Sequence, residues 1–112
     1  MNVVRTPPLN TVLIDGFSNP ASLGANALLA APSATARIRV TALTMVASGA
    51  VSVKFQSNAT DISATQAFAA NGGIVLSYNE HGWFETLPGQ TLNINLSAAV
   101  GVGVNFQYIV LP

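Results

Sequence analysis

Near its C-terminal end the chain alternates apolar and polar residues with a period of two. Leu92, Ile94 and Leu96 are interleaved with Asn93, Asn95 and Ser97. Val100, Val102, Val104, Phe106, Tyr108 and Val110 then take every second position. Successive side chains on a strand point to opposite faces, so each stretch predicts a strand with one buried face. Ser97, Ala98 and Ala99 are small and suit a tight connection. The pattern predicts a long antiparallel hairpin over residues 90–112, its apolar side turned into a sandwich or barrel.

Upstream, residues 1–25 read as an extended arm. Pro7-Pro8 forbids regular structure and favours an extended backbone. Val12, Leu13 and Ile14 form a short β-prone run, and Asp15-Gly16 and Asn19-Pro20 are turn signals. Such an arm lies across its own domain, adds a strand to a neighbour's sheet, or is a partly ordered terminus; the second case makes Val12, Leu13 and Ile14 interface candidates. Residues 26–31 are too short for a helix that ends at Pro32, and a strand is preferred. Residues 36–47 form a long strand whose alternation breaks near Thr41-Ala42. Either a β-bulge shifts the phase there, or the strand is buried on both faces. Ser48-Gly49 signals a hairpin turn. After it Val51, Val53 and Phe55 point inward, and Ser52, Lys54 and Gln56 outward.

The string Val51-Ser-Val-Lys-Phe-Gln56 has a counterpart in Val102-Gly-Val-Asn-Phe-Gln107. The same offset carries Leu43 and Met45 onto Ile94 and Leu96, so both are assigned inward, and two similar hairpins would give the domain a pseudo-symmetry. Ile62 and Phe68 plug the edge of the core. Asn71-Gly72-Gly73 permits positive φ ahead of a strand over residues 74–78. A loop over residues 79–82 and a short aromatic segment at Trp83 and Phe84 follow. Leu87-Pro88-Gly89 suits a type II turn. Seven or eight strands at short spacing, without a helix, predict an all-β protein: a single antiparallel β-sandwich or jelly roll over residues 26–112, carrying the extended arm of residues 1–25.

Composition adds one constraint. Only 7% of the 112 residues are charged and the formal net charge is zero, against about 25% charged in a typical soluble protein. A lone chain with so few charges is colloidally poor near neutral pH. A surface covered by other chains, in a homo-oligomer or against a partner, resolves this, and a surface rich in Ser, Thr, Asn and Gln is the alternative. Four basic residues leave no electrostatic footprint for nucleic acid. No run approaches the ~18 apolar residues of a membrane span, and no signal-peptide pattern opens the chain. With no cysteine there is no disulfide or thiolate site in this sequence.

Catalytic chemistry is sparse. The single histidine, His81, adjoins Glu80 in a loop and reads as solvated. No nucleophile elbow, phosphate loop or dinucleotide fingerprint occurs, so neither catalytic nor metal residues are assigned, no cofactor is expected, and the chain reads as a non-enzyme. Trp83 and Phe84 are adjacent and would face opposite sides of an extended segment, so one closes the core and the other becomes an interface anchor or a sugar platform. Arg37 and Arg39 share one strand face and either meet Asp or Glu on a partner or form a solvated pair.

The segment Ala69-Ala-Asn-Gly-Gly-Ile-Val-Leu-Ser-Tyr-Asn-Glu-His-Gly-Trp-Phe-Glu-Thr86, followed by Gly89-Gln-Thr-Leu-Asn-Ile-Asn-Leu-Ser-Ala-Ala-Val100, resembles small β-sandwich proteins of tailed-bacteriophage structural modules. There an A-N-G-G turn, a Y-N-x-x-G-W-F-E-T loop and an L-N-x-N-L strand recur in this order. The resemblance implies a capsid decoration or cement protein, a homotrimer on the outer surface of the virion head that clamps neighbouring major capsid protein subunits and is made in the host cytoplasm. A second reading is a virion-surface or tail-associated module that binds a glycan or fibre partner through the loop over residues 78–85.

Overall fold

The structure, a computed structural model, describes residues 12–112. Ten strands form in these residues: β1 (Ile14–Ser18), β2 (Gly24–Leu29), β3 (Arg37–Ala47), β4 (Val51–Ser57), β5 (Thr60–Asp61), β6 (Gln66–Phe68), β7 (Gly73–Leu76), β8 (Phe84–Glu85), β9 (Leu92–Leu96) and β10 (Val102–Leu111). They build two antiparallel sheets. Sheet A runs β1-β10-β3-β7, with β8 also on β3. Sheet B runs β2-β9-β4-β5, with β6 also on β4. The chain crosses repeatedly between the sheets and lays early strands beside late ones, β1 on β10 and β2 on β9. That winding is a jelly roll.

This topology corrects the two expected hairpins. β9 and β10 belong to different sheets, and so do β3 and β4. Their connections are arches across the sandwich. Alternation fixes which face is buried, and it is silent about which neighbour carries the hydrogen-bond ladder. The two arches lie side by side: Ser48 N donates to Gly101 O at 2.9 Å, and Ser97 N donates to Ser52 O at 3.0 Å. The repeat is real in the pairing. On β3 and β10, Met45 faces Val104 and Leu43 faces Phe106. On β9 and β4, Leu96 faces Val53 and Ile94 faces Phe55. The offset that takes Val51 to Val102 takes one set of pairs onto the other, so the arches are related by a pseudo-two-fold.

The core fills the space between the sheets. Ile38, Val40, Leu43 and Met45 from β3 meet Val53, Ile94, Leu96, Val102 and Val104, all nearly or fully buried. The phase break in β3 is a bulge. Ala42 pairs with Gln107 and Val40 with Tyr108, which leaves Thr41 as the extra residue. Its Oγ1 donates to Gln107 O at 3.1 Å, so the buried hydroxyl is satisfied. The bulge lets Ile38 and Val40 face inward on one side of it and Leu43 and Met45 on the other.

The sheets begin at Ile14, ahead of the expected start at residue 26. β1 lies along β10 of its own domain, and residues 1–11 fall outside the described residues. Asp15-Gly16, expected as a turn, sits inside β1 with Gly16 opposite Phe106. A Cβ at Gly16 would lie 2.6 Å from the Phe106 ring. The glycine therefore serves close approach, not chain reversal. Asn71 does take positive φ, at 65°, and Gly89 takes 72° in a turn closed by Gln90 N donating to Leu87 O at 3.2 Å.

Candidate functional site

One edge of the sandwich is built differently from the rest. β7 pairs with β3 only over Leu43 to Val46, and β8 pairs only with Arg39 and Val40. The chain between them leaves the sheet, and the Thr41 bulge receives it: Asn79 N donates to Thr41 O and Trp83 N to Val40 O, both at 2.8 Å. Gly82 takes φ 79° there, and a Cβ on it would meet Arg39 Cγ at 2.4 Å. Only glycine lets the loop lie this low on the arginine stem.

The loop separates the two adjacent aromatics. Phe84 turns inward, is 7% exposed, and stacks on Phe55 of sheet B. Trp83 turns outward and stays 46% exposed. Its indole Nε1 donates to Ser77 O at 2.7 Å, which fixes the ring while leaving its face open. Beyond Phe84 the chain ties the sheets together. Thr86 exchanges hydrogen bonds with Ile38 of sheet A, through Ile38 N to Thr86 Oγ1 and Thr86 N to Ile38 O. Leu87 N donates to Ser57 Oγ of sheet B at 2.9 Å.

Two cavities meet at this edge. One, of ≈ 300 Å³, opens between the sheets and is walled by Leu43, Val53, Phe55, Ile74 and Leu76. The other, of ≈ 550 Å³, lies outside it against Arg37, Glu85, Leu87 and Pro88. Ile62, Trp83 and Phe84 line both. The result is a continuous groove, apolar inside and half polar at its mouth, with exposed Trp83 and Leu87 on its rim.

Glu85 sets the charge of the rim. Arg39 Nε donates to its Oε1 at 2.8 Å and Arg37 Nη1 to its Oε2 at 2.9 Å. The Arg39 side chain is 6% exposed, that of Arg37 39%. Arg39 Nη1 is buried without an acceptor. One carboxylate thus serves two guanidiniums, and the cluster holds one net positive charge. From the sequence these arginines either met a partner's carboxylate or stayed solvated; the structure gives them Glu85 of their own chain. The signal available was the shared face of residues 37 and 39, and what was missing was the β3–β8 pairing.

The sequence-derived interface candidates therefore fall into two groups. Arg37, Arg39, Trp83 and Phe84 converge on this edge. Val12, Leu13 and Ile14 are exposed at the opposite edge of sheet A, beside β10. His81 lies in the 79–82 loop, its Nε2 3.7 Å from Glu80 Oε1. Among the described residues no three His, Cys, Asp or Glu side chains gather as a metal site would require.

No family model matches the chain, that of decoration proteins included, and no curated protein matches it. Among solved structures, one described as "Bacillus endospore appendages form a novel family of disulfide-linked pili" is similar over 98% of this chain and 96% of its own, with 16% identity and a TM-score of 0.45. This sequence contains no cysteine, so the disulfide linkage in that description has no counterpart here. What the molecule itself presents is an all-β jelly roll with one aromatic-rimmed groove at the edge of its two sheets.

Proposed function

We propose that the protein is a non-enzymatic structural protein of a bacteriophage virion, a decoration or cement protein that sits on the outer head surface and clamps neighbouring major capsid subunits. The observation that carries the reading is the held but open face of Trp83 on the rim of an apolar groove. Aromatic residues in such positions anchor protein interfaces. The stretch resembling phage structural modules, residues 69–86, contains β7, the loop and β8, the elements that build this rim. Clamping acts by mass action, since a protein that binds only the assembled lattice raises its stability.

The test uses heads assembled without the protein. Added wild-type chain should co-sediment with them and raise the temperature at which they release their genome. Trp83→Ala should weaken binding at least tenfold without loss of fold. Equal heat resistance with and without bound wild-type protein would overturn cementing. A second reading is favoured by Tyr78, which is 55% exposed one residue beyond Ser77, the acceptor of the indole hydrogen bond. Two open aromatics in one loop suit a sugar. Glycan-array binding lost in Trp83→Ala, together with no affinity for heads, would select it.

A further inference from the structure

The outer face of sheet A carries a pattern that matches its own reverse. Its outward residues form rows set by the strand register. One row runs Phe17, Asn105, Thr44, Val75 across β1, β10, β3 and β7. The adjacent row, nearer the arches, runs Gly103, Val46, Gly73. Phe17, Val46 and Val75 are 79%, 56% and 71% exposed. No ionised side chain lies in either row. The charged side chains of this sheet lie in other rows, Asp15 beside Gln107 and the Arg37–Glu85–Arg39 cluster farther along β3.

We propose that this face docks on the same face of a second copy of the chain, across a two-fold axis parallel to the strands. That axis reverses each row. Phe17 then meets Val75 of the second copy, and Asn105 meets Thr44. Apolar ends lie on apolar ends, and an amide lies on a hydroxyl that both donates and accepts. In the adjacent row Val46 projects over Gly103, which has no side chain to obstruct it. Every contact occurs twice, as an isologous interface requires. Two sheets stacked in this way sit about 10 Å apart with their strands nearly aligned, as in a sandwich. The palindromic row selects a second copy over an unrelated partner, because an unrelated surface has no reason to repeat the order apolar, polar, polar, apolar. The two rows, which hold no charge, also meet their own copies without like-charge repulsion. Four strands about 4.8 Å apart offer less than the roughly 800 Å² per partner of a standard interface, so the dimer is reversible and concentration-dependent.

This contact stands apart from the shell reading: it needs no shell, and Trp83→Ala leaves it unchanged. Sedimentation velocity of the full chain over a wide concentration range tests it. Wild type should show a monomer–dimer equilibrium. Val46→Asp and Val75→Asp, at exposed positions that leave the core intact, should each weaken it at least tenfold. Ala25→Asp, exposed on β2 of sheet B, should not. Because the chain has no cysteine, a Phe17→Cys, Val75→Cys double variant treated with a short bis-maleimide should give dimers linked from position 17 to position 75. A wild type that stays monomeric, one that associates only as a trimer, equal weakening by Ala25→Asp, or links joining only like positions would each overturn the proposal.

Discussion

Phe55 of sheet B and Phe84 of sheet A stack across the sandwich, their ring centroids 4.6 Å apart and their planes 22° from parallel. The pair closes the core at the edge where β7 and β8 part. Removing a buried phenylalanine side chain costs about 3–5 kcal/mol, because the site rarely collapses fully. Phe84→Ala should fall near the lower end, about 3 kcal/mol, since an open groove already adjoins the ring. Trp83→Ala should cost about 1 kcal/mol or less, its ring being half exposed. Urea unfolding of the two variants checks the contrast. Equal losses would mean that Trp83 belongs to the core.

The Arg37–Glu85–Arg39 cluster should respond unequally to its members. Glu85→Gln keeps the shape and leaves the buried Arg39 without a counter-charge, a loss of about 3 kcal/mol by the usual cost of an uncompensated buried ion. Arg37→Gln removes the more exposed guanidinium and should cost about 1 kcal/mol or less. Denaturant titrations at low and high salt separate them. The Glu85→Gln effect should persist in salt, whereas the Arg37→Gln effect should shrink.

Gly16→Ala tests the close approach of β1 to β10. The added methyl would fall 2.6 Å from the Phe106 ring. That ring is 5% exposed and rests against Tyr108, with centroids 5.6 Å apart, so it has little room to retreat. Overpacking of this kind costs about 1–3 kcal/mol. Thermal unfolding should show the loss, and Phe106→Leu in the same chain should recover part of it. No recovery would assign the cost to the strand rather than to the ring.

Asp61 supplies the pH dependence. Its carboxylate accepts from Gln56 Nε2 at 2.8 Å and lies 3.2 Å from Lys54 Nζ. The Gln56 hydrogen bond first, then the Lys54 contact, hold its pKa below the ordinary carboxylate value. With the folded pKa lowered, the unfolded chain takes up the proton first. The contribution is therefore complete above the unfolded-state pKa and fades as pH falls through the folded one. The Tm gap between wild type and Asp61→Asn should be widest at neutral pH and close in acid. A gap unchanged by acid would mean that the Asp61 charge plays no part.

Much of the fold is legible in the residues. Val51, Val53 and Phe55 point inward as their alternation requires, the break at Thr41-Ala42 is a bulge, and Asn71 adopts the positive φ its turn invites. Ladder partners are not legible, because an arch and a hairpin place the same side chains on the same faces. That is why residues 90–112 read as a hairpin, and why Arg37 and Arg39 had no visible partner in Glu85, a residue brought to them only by the β3–β8 pairing. Asp15-Gly16 misled for a related reason. A glycine chosen to admit a ring from another strand looks, along the chain, like one chosen for a turn. At the candidate site, adjacency alone split Trp83 from Phe84, while the direction of each came from the loop held at Thr41.

β10 lies between β1 and β3 and follows every other described strand in the chain. During synthesis sheet A therefore lacks its middle until β10 emerges. Until then β1 has no mate, and β3 presents a bare flank. Closure is a late and long-range event, of the kind that proceeds slowly and leaves sticky intermediates. A ribosome stalled before Val102 would hold a chain prone to clump, so yield should track how quickly β10 is made.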